Sequence, residues 1–210
     1  IIFTGGTSDV ATIGAGTIGL TTASNILMLS GSSLQTADGA LTLNANQQLT
    51  PTSGAFIGVD INSASVRATG TGVVTVNGKG GTTGGQQHGV RLTGVGSLIK
   101  GGNAAGITTS VTGNGGAGTG ATNLGVFITT GGLATSFGGN VSVAGTGGSG
   151  TGGDHHGVRL FTNGTINAEL AGTVTVLGTG GTAAAGGCFG VDVRSPGSAI
   201  SSSGGSVGVT

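Results

Sequence analysis

The phrase Val-x-Gly-x-Gly-Gly begins at Val76, Val111, Val143 and Val176, at intervals of 35, 32 and 33 residues. A Gly-Val pair follows each one, at Gly89, Gly125, Gly157 and Gly190, 13 or 14 residues after the valine. An earlier Gly-Val at Gly58, preceded by Leu41-Thr42-Leu43, fits the same frame. A fixed period of this length signals stacked repeats, in which each unit buries its apolar face only against its neighbours. The secondary structure inside the unit therefore decides the fold.

Three stretches per unit carry strand character. The first alternates apolar and small polar residues: Leu41-Thr42-Leu43, Val74-Thr75-Val76, Val141-Ser142-Val143 and Val174-Thr175-Val176. The second follows the Gly-Val glycine, as in Val59-Asp60-Ile61, Val90-Arg91-Leu92 and Val126-Phe127-Ile128, then Val158-Arg159-Leu160 and Val191-Asp192-Val193. The third is marked by single apolar residues at Val66, Leu98, Leu133, Ile166 and Ile200. Alternation with period two in Val-, Ile- and Thr-rich runs is the strand signature. No stretch shows a helical period with caps. The expected fold is all-β, a parallel β-helix (β-solenoid) with about 33 residues and three short strands per rung. Right-handed winding is expected by analogy with most large β-helices. The glycine clusters are expected to supply positive φ at tight corners. Residues 1–40 hold short apolar phrases, such as Ile26-Leu27-Met28-Leu29, that do not align with the repeat. They read as irregular N-terminal strands or an interface, with solenoid repeats over 41–210.

Composition narrows the function. The 51 glycines show no Gly-X-Y period, which excludes collagen, and the apolar residues recur in register, unlike those of a disordered chain. Six basic and six acidic residues balance to zero net charge. Phosphate binding needs a basic surplus, so nucleic acid is not the expected partner. Near-zero charge also gives little protection from self-association. The longest apolar run, Ile26 to Leu29, is too short to span a bilayer. The chain starts at Ile1 without a visible signal peptide, so it is expected to be processed or to be part of a longer polypeptide. The single cysteine, Cys188, has no internal disulfide partner and reads as a small packing residue.

Stacking converts the repeat into columns. Thr42, Thr75, Ser110, Ser142 and Thr175 form an outward stripe of small hydroxyls, readable as solvated surface with hydroxyl ladders or as a lateral packing face. Asp60, Arg91, Phe127, Arg159 and Asp192 form a second outward column, with opposite charges on neighbouring rungs. His88 and His156 share a position filled elsewhere by Ile57, Leu124 and Phe189, so they read as packing residues. Two rungs, about 10 Å, separate them, too far for a shared metal ion. Asp154-His155-His156 reads as a polar loop. Asp60 and Asp192 are four rungs apart, roughly 19 Å, well beyond the separation of paired acid–base carboxylates. The glycine runs lack the Lys-Ser/Thr and following helix of a phosphate loop and read instead as long corners or protruding loops of about ten residues. The chain is therefore not read as an enzyme, and no cofactor or metal is expected.

The phrases GVVTVNGKGGTTGGQQHGVRL from Gly72 and NVSVAGTGGSGTGGDHHGVRL from Asn140 resemble repeats of large bacterial surface β-solenoids. These include filamentous-haemagglutinin-like adhesins, autotransporter passengers and the giant β-strand-repeat proteins of planctomycete-like bacteria. The resemblance covers about residues 41–210 and implies an extracellular, structural or adhesive role without transferable catalytic residues. The expected function is a structural subunit or segment of an extracellular bacterial filament or surface layer, assembled by head-to-tail stacking of rungs with another copy of itself or with the next segment of a longer chain. Ile1, Ile2, Phe3, Val207 and Val209 are its expected self-assembly contacts, because Val207-Gly208-Val209 opens a rung 33 residues after Val174. The alternative is an adhesin that binds surface glycans through its Gly-rich loops.

Overall fold

The alternating triplets are strands, and each pairs in parallel with its counterpart one repeat later. The computed structural model describes residues 1–6 and 8–210 and contains three seven-stranded parallel sheets. The first sheet holds Ile2–Phe3, Ile26–Met28, Val59–Asn62, Val90–Thr93, Val126–Thr129, Val158–Phe161 and Val191–Val193. The second holds Asp9–Ala11, Ser33–Thr36, Ser65–Ala68, Leu98–Gly101, Leu133–Ser136, Thr165–Ala168 and Ala199–Ser202. The third holds Ile18–Thr22, Leu41–Ala45, Val74–Lys79, Ile107–Asn114, Asn140–Thr146, Val174–Thr179 and Val207–Val209. The chain visits the three sheets in the same order on every turn, which makes a β-solenoid. Among the described residues no helix is long and apolar enough to cross a membrane.

Residues 1–40, expected as irregular strands or an interface, enter the same three sheets. Ile2 pairs with Leu27, Asp9 with Ser33 and Ile18 with Leu41. The first turn is short because residues 23–25 alone join Thr22 to Ile26, whereas residues 46–58 join Ala45 to Val59. The missing segment lies at a corner, so strand pairing survives while the period in the sequence is lost. The longer interval between Val76 and Val111 has a similar cause: the preceding corner is extended and a bulge falls between Ile107 and Thr109.

The core is a continuous apolar column inside the coil. Leu43, Val76, Val111, Val143 and Val176 lie inside, at most 1% exposed. Met28, Ile61, Leu92, Ile128 and Leu160 face them from the first sheet, all fully buried. In the second sheet the sequence-based column needs a one-residue correction. Ile99 pairs with Val66 and Ala134 with Ile166, and these point inward. Leu98 and Leu133 pair with each other one position earlier and are only half-buried. Three apolar or small residues in succession leave the face ambiguous, and pairing with well-marked neighbours decides it.

Corner glycines such as Gly94, Gly131 and Gly197 take positive φ as expected, but the glycines within the third-sheet strands have a different role. Gly78, Gly113, Gly145 and Gly178 have no positive φ. They occupy an inward column of the third sheet, in line with Ala45. A Cβ at Gly78, Gly113 or Gly145 would come within 2.1 Å of the carbonyl oxygen of Gly89, Gly125 or Gly157. The glycine of each Val-x-Gly phrase thus packs against the glycine of the following Gly-Val. Close approach of two backbones, rather than corner torsion, explains this part of the repeat signature.

Candidate functional site

Between the third sheet and the next strand of the first sheet, the chain leaves the coil and returns. These arms cover 80–89, 115–125, 147–157 and 180–190, with an earlier, differently folded one at 46–58. The pinch between facing glycines lies at the root of each arm. Beyond it the outgoing and returning limbs pack backbone to backbone: a Cβ at Gly147 would meet the carbonyl oxygen of His155 at 2.0 Å. Each outgoing limb then donates to the returning limb one rung back. Gly116 N–H donates to Gln87 O, Gly148 N–H to Asn123 O and Gly181 N–H to His155 O, all at 2.7 Å. The Gly-rich segments therefore form a stacked flange that projects from one edge of the coil.

The histidines sit in the returning limbs. His88, His155 and His156 are 2%, 0% and 0% exposed. The packing role read for His88 and His156 holds, but His155 is not part of a polar surface loop. Each Nδ1 accepts a backbone N–H from an adjacent arm: Leu124 to His88 at 3.3 Å, Asn123 to His155 at 3.0 Å and Phe189 to His156 at 3.0 Å. Asn123 acts the same way, its Oδ1 accepting Gln87 N–H at 2.9 Å. Four side-chain acceptors thus link the returning limbs. Accepting at Nδ1 makes these imidazoles neutral with the proton on Nε2. Burial pushes the pKa of His88 down from 6.5 to about 3, reinforced by the nearby Arg91 and Arg159 charges. Burial also lowers His155 and His156, although the Asp192 and Asp154 carboxylates pull His156 the other way.

The charged column of the first sheet is in register as expected: Asp60 pairs with Arg91, Arg91 with Phe127, Phe127 with Arg159 and Arg159 with Asp192. It is less exposed than the sequence suggests. Arg91 forks onto Asp60 through Nε at 2.9 Å and Nη2 at 2.7 Å, and Asp60 is only 7% exposed. Asp192, also 7% exposed, takes Arg194 Nε at 2.7 Å and lies 3.4 Å from Arg159 Nε. The fold also places Asp154 3.7 Å from His156 Nε2, with Asp192, from the next rung, at 3.4 Å. Among the described residues no three His, Cys, Asp or Glu side chains form a metal-binding group.

The hydroxyl stripe is a column of the third sheet, with Thr42, Thr75, Ser110, Ser142 and Thr175 in paired register. Among the described residues no hydrogen bond links these hydroxyls to one another, so the expected hydroxyl ladder is absent. One column over, a single rung-to-rung bond forms, in which Asn77 Nδ2 donates to Asn44 Oδ1 at 2.8 Å. Between the third sheet and the flange runs an open groove of about 580 Å³, lined by Lys79, Thr82, Thr146, Ser149 and Thr182 over a glycine floor.

The remaining expected site residues lie at the two ends of the coil. Ile1 and Ile2 are 43% and 62% exposed, while Phe3 packs half-buried against the core. At the opposite end Val207 and Val209 are 43% and 50% exposed, joined by Val193 at 45%. Val10, at 41%, adds to the first end. Sequence reasoning missed Val10 and Val193, because each is an unremarkable strand residue until stacking places its rung outermost. No protein-family model matches the chain, and neither a curated protein nor a solved structure matches it.

Proposed function

We propose that the chain is a structural segment of an extracellular bacterial filament or surface layer, built by head-to-tail stacking of β-solenoid rungs. The observation that supports this reading is the pair of open end faces. In the outermost rungs, Ile2–Phe3, Asp9–Ala11 and Ile18–Thr22 at one end and Val191–Val193, Ala199–Ser202 and Val207–Val209 at the other, each strand has a paired side and a free side. Free edges that carry exposed apolar side chains are templates for further strand pairing. The two ends are parallel cross-sections of one coil, so a further rung, from a second copy or from more of the same polypeptide, continues all three sheets. Such a contact is heterologous and propagates into a filament when its rotation does not close. The bacterial surface setting follows the resemblance of the repeat phrases. Light scattering and electron microscopy of the purified chain test this reading, with elongated particles that lengthen with concentration as the expected result. Val207→Lys with Val209→Lys should hold the particles at one coil length. A monomer that never elongates would sink the proposal.

A second reading, an adhesin that binds surface glycans, is favoured by the groove. Its floor is glycine backbone and its walls carry hydroxyls and a single charge, Lys79, a lining with hydrogen-bonding groups for sugar hydroxyls. Saturable binding on a glycan array, lost with Thr82→Val and Thr146→Val, would support it.

A further inference from the structure

Four side-chain acceptors join the returning limbs of the flange, and three are histidines. Asn123, the counterpart of His155 one rung back, makes the equivalent bond through its Oδ1 to Gln87 N–H at 2.9 Å, so an amide serves there as well as an imidazole, whereas the position of His88 and His156 holds Leu124 and Phe189 on neighbouring rungs. An imidazole differs from an amide in one respect that matters here. Once protonated at Nδ1 it becomes a donor and faces a backbone N–H that is also a donor. The bond is lost and two donors oppose each other inside a buried layer.

The surroundings of each histidine set how strongly it resists protonation. His88 has the Phe127 ring at 5.2 Å, and Arg91 and Arg159 as its charged neighbours, both cationic. His155 has Asp154 as its charged neighbour. His156 stacks on Phe189 at 5.3 Å and is faced by Asp154, Asp192, Arg159 and Arg194. Elsewhere the coil relies on backbone pairing around an apolar column, which contains no group that titrates in mild acid.

We propose that the flange is an acid-sensitive element: protonation of His88, His155 and His156 removes the acceptors that tie successive arms together, so the arms loosen on acidification while the three-sheet coil stays folded. The direction follows from linkage. For His88 the closed-state value, about 3, lies below the 6.5 of the free side chain. The closed arm is fully favoured above about pH 6.5 and loses that advantage as the pH falls towards 3. Between pH 7.5 and 4.5 the opening constant at His88 rises about a hundredfold.

Amide hydrogen exchange on the intact chain, corrected for the intrinsic pH dependence of exchange, tests this. The N–H groups of Asn123, Leu124 and Phe189 should lose protection on going to pH 4.5, with Leu124 losing about a hundredfold. The coil amides of Leu133 and Val141, bonded to Ser97 O and Thr173 O, should keep theirs. In His88→Asn/His155→Asn/His156→Asn the arm amides should be equally protected at both pH values. Undiminished protection of the wild-type arms at pH 4.5 would overturn the proposal, as would an equal loss in the asparagine variant. Should the triple variant fail to fold, His88→Asn alone, read at Leu124 N–H, makes the same comparison.

Discussion

At the scale of single residues, two kinds of position have sharply different tolerance. Gly145 faces the Gly157 carbonyl oxygen, which a Cβ would approach to 2.1 Å, and the obstacle is backbone that cannot swing aside. Gly19 is in the same sheet and a Cβ there meets nothing within 4 Å. Gly145→Ala should therefore destabilise by at least about 1–3 kcal/mol, while Gly19→Ala should be neutral or slightly stabilising. Urea titrations of the two variants make the comparison, and equal midpoints would refute the close-approach account. The strand register gives a second contrast. Val143→Asp puts an unpartnered carboxylate at a site 1% exposed and should cost several kcal/mol. Ser142→Asp, one residue away on the outer face, should change the melting temperature little. If Ser142→Asp leaves folding intact yet abolishes lateral association, the stripe is a packing face. These inward and outward assignments were legible from alternation alone, except at Leu98 and Leu133, where adjacent apolar residues hid the phase.

At the scale of the element, the first sheet carries an ion pair in a column that is apolar on the two flanking rungs. Leu27 and Phe127 occupy the column that holds Asp60 and Arg91. Asp60 is nearly buried, so Arg91→Ala strands a carboxylate and should cost about 1–3 kcal/mol, discounted because the arginine side chain is 26% exposed. Asp60→Leu with Arg91→Leu removes both charges and should recover most of that loss. A double-mutant cycle by thermal melting reads the difference, and additive losses would show that the pair is not coupled. The flange was legible in the sequence as long corners or protruding glycine-rich loops, but not as a packed stack. The role of its glycines as contact surfaces between limbs depends on which backbone lies opposite, and that is set by neighbouring rungs.

At the scale of the whole molecule, a solenoid has no closed surface of its own. Each rung is stabilised by two neighbours, and the outermost ones have a single neighbour each. Val10, Val193, Val207 and Val209 lie on the outermost strands described and are exposed, whereas inner strands of like sequence are covered. Deleting residues 1–6 should therefore reduce elongation of the purified chain with little loss of solenoid circular dichroism, as measured beside the intact chain by light scattering. Unchanged elongation would place the association on another surface, with the hydroxyl stripe the next candidate.

The sequence by itself determined the β-solenoid, the three strands per turn, the inward valine columns and the outward charge and hydroxyl columns. All of these follow from period and alternation, which are one-dimensional properties that stacking preserves. The tertiary structure decided what depends on distance between backbones from different turns. It joined residues 1–40 to the coil, because the corner missing from the first turn alters spacing but not pairing. It turned the glycine phrases into a pinch and a flange, and made the histidines acceptors for neighbouring arms. A one-dimensional pattern records which residues share a column, but not how closely the limbs beside that column approach.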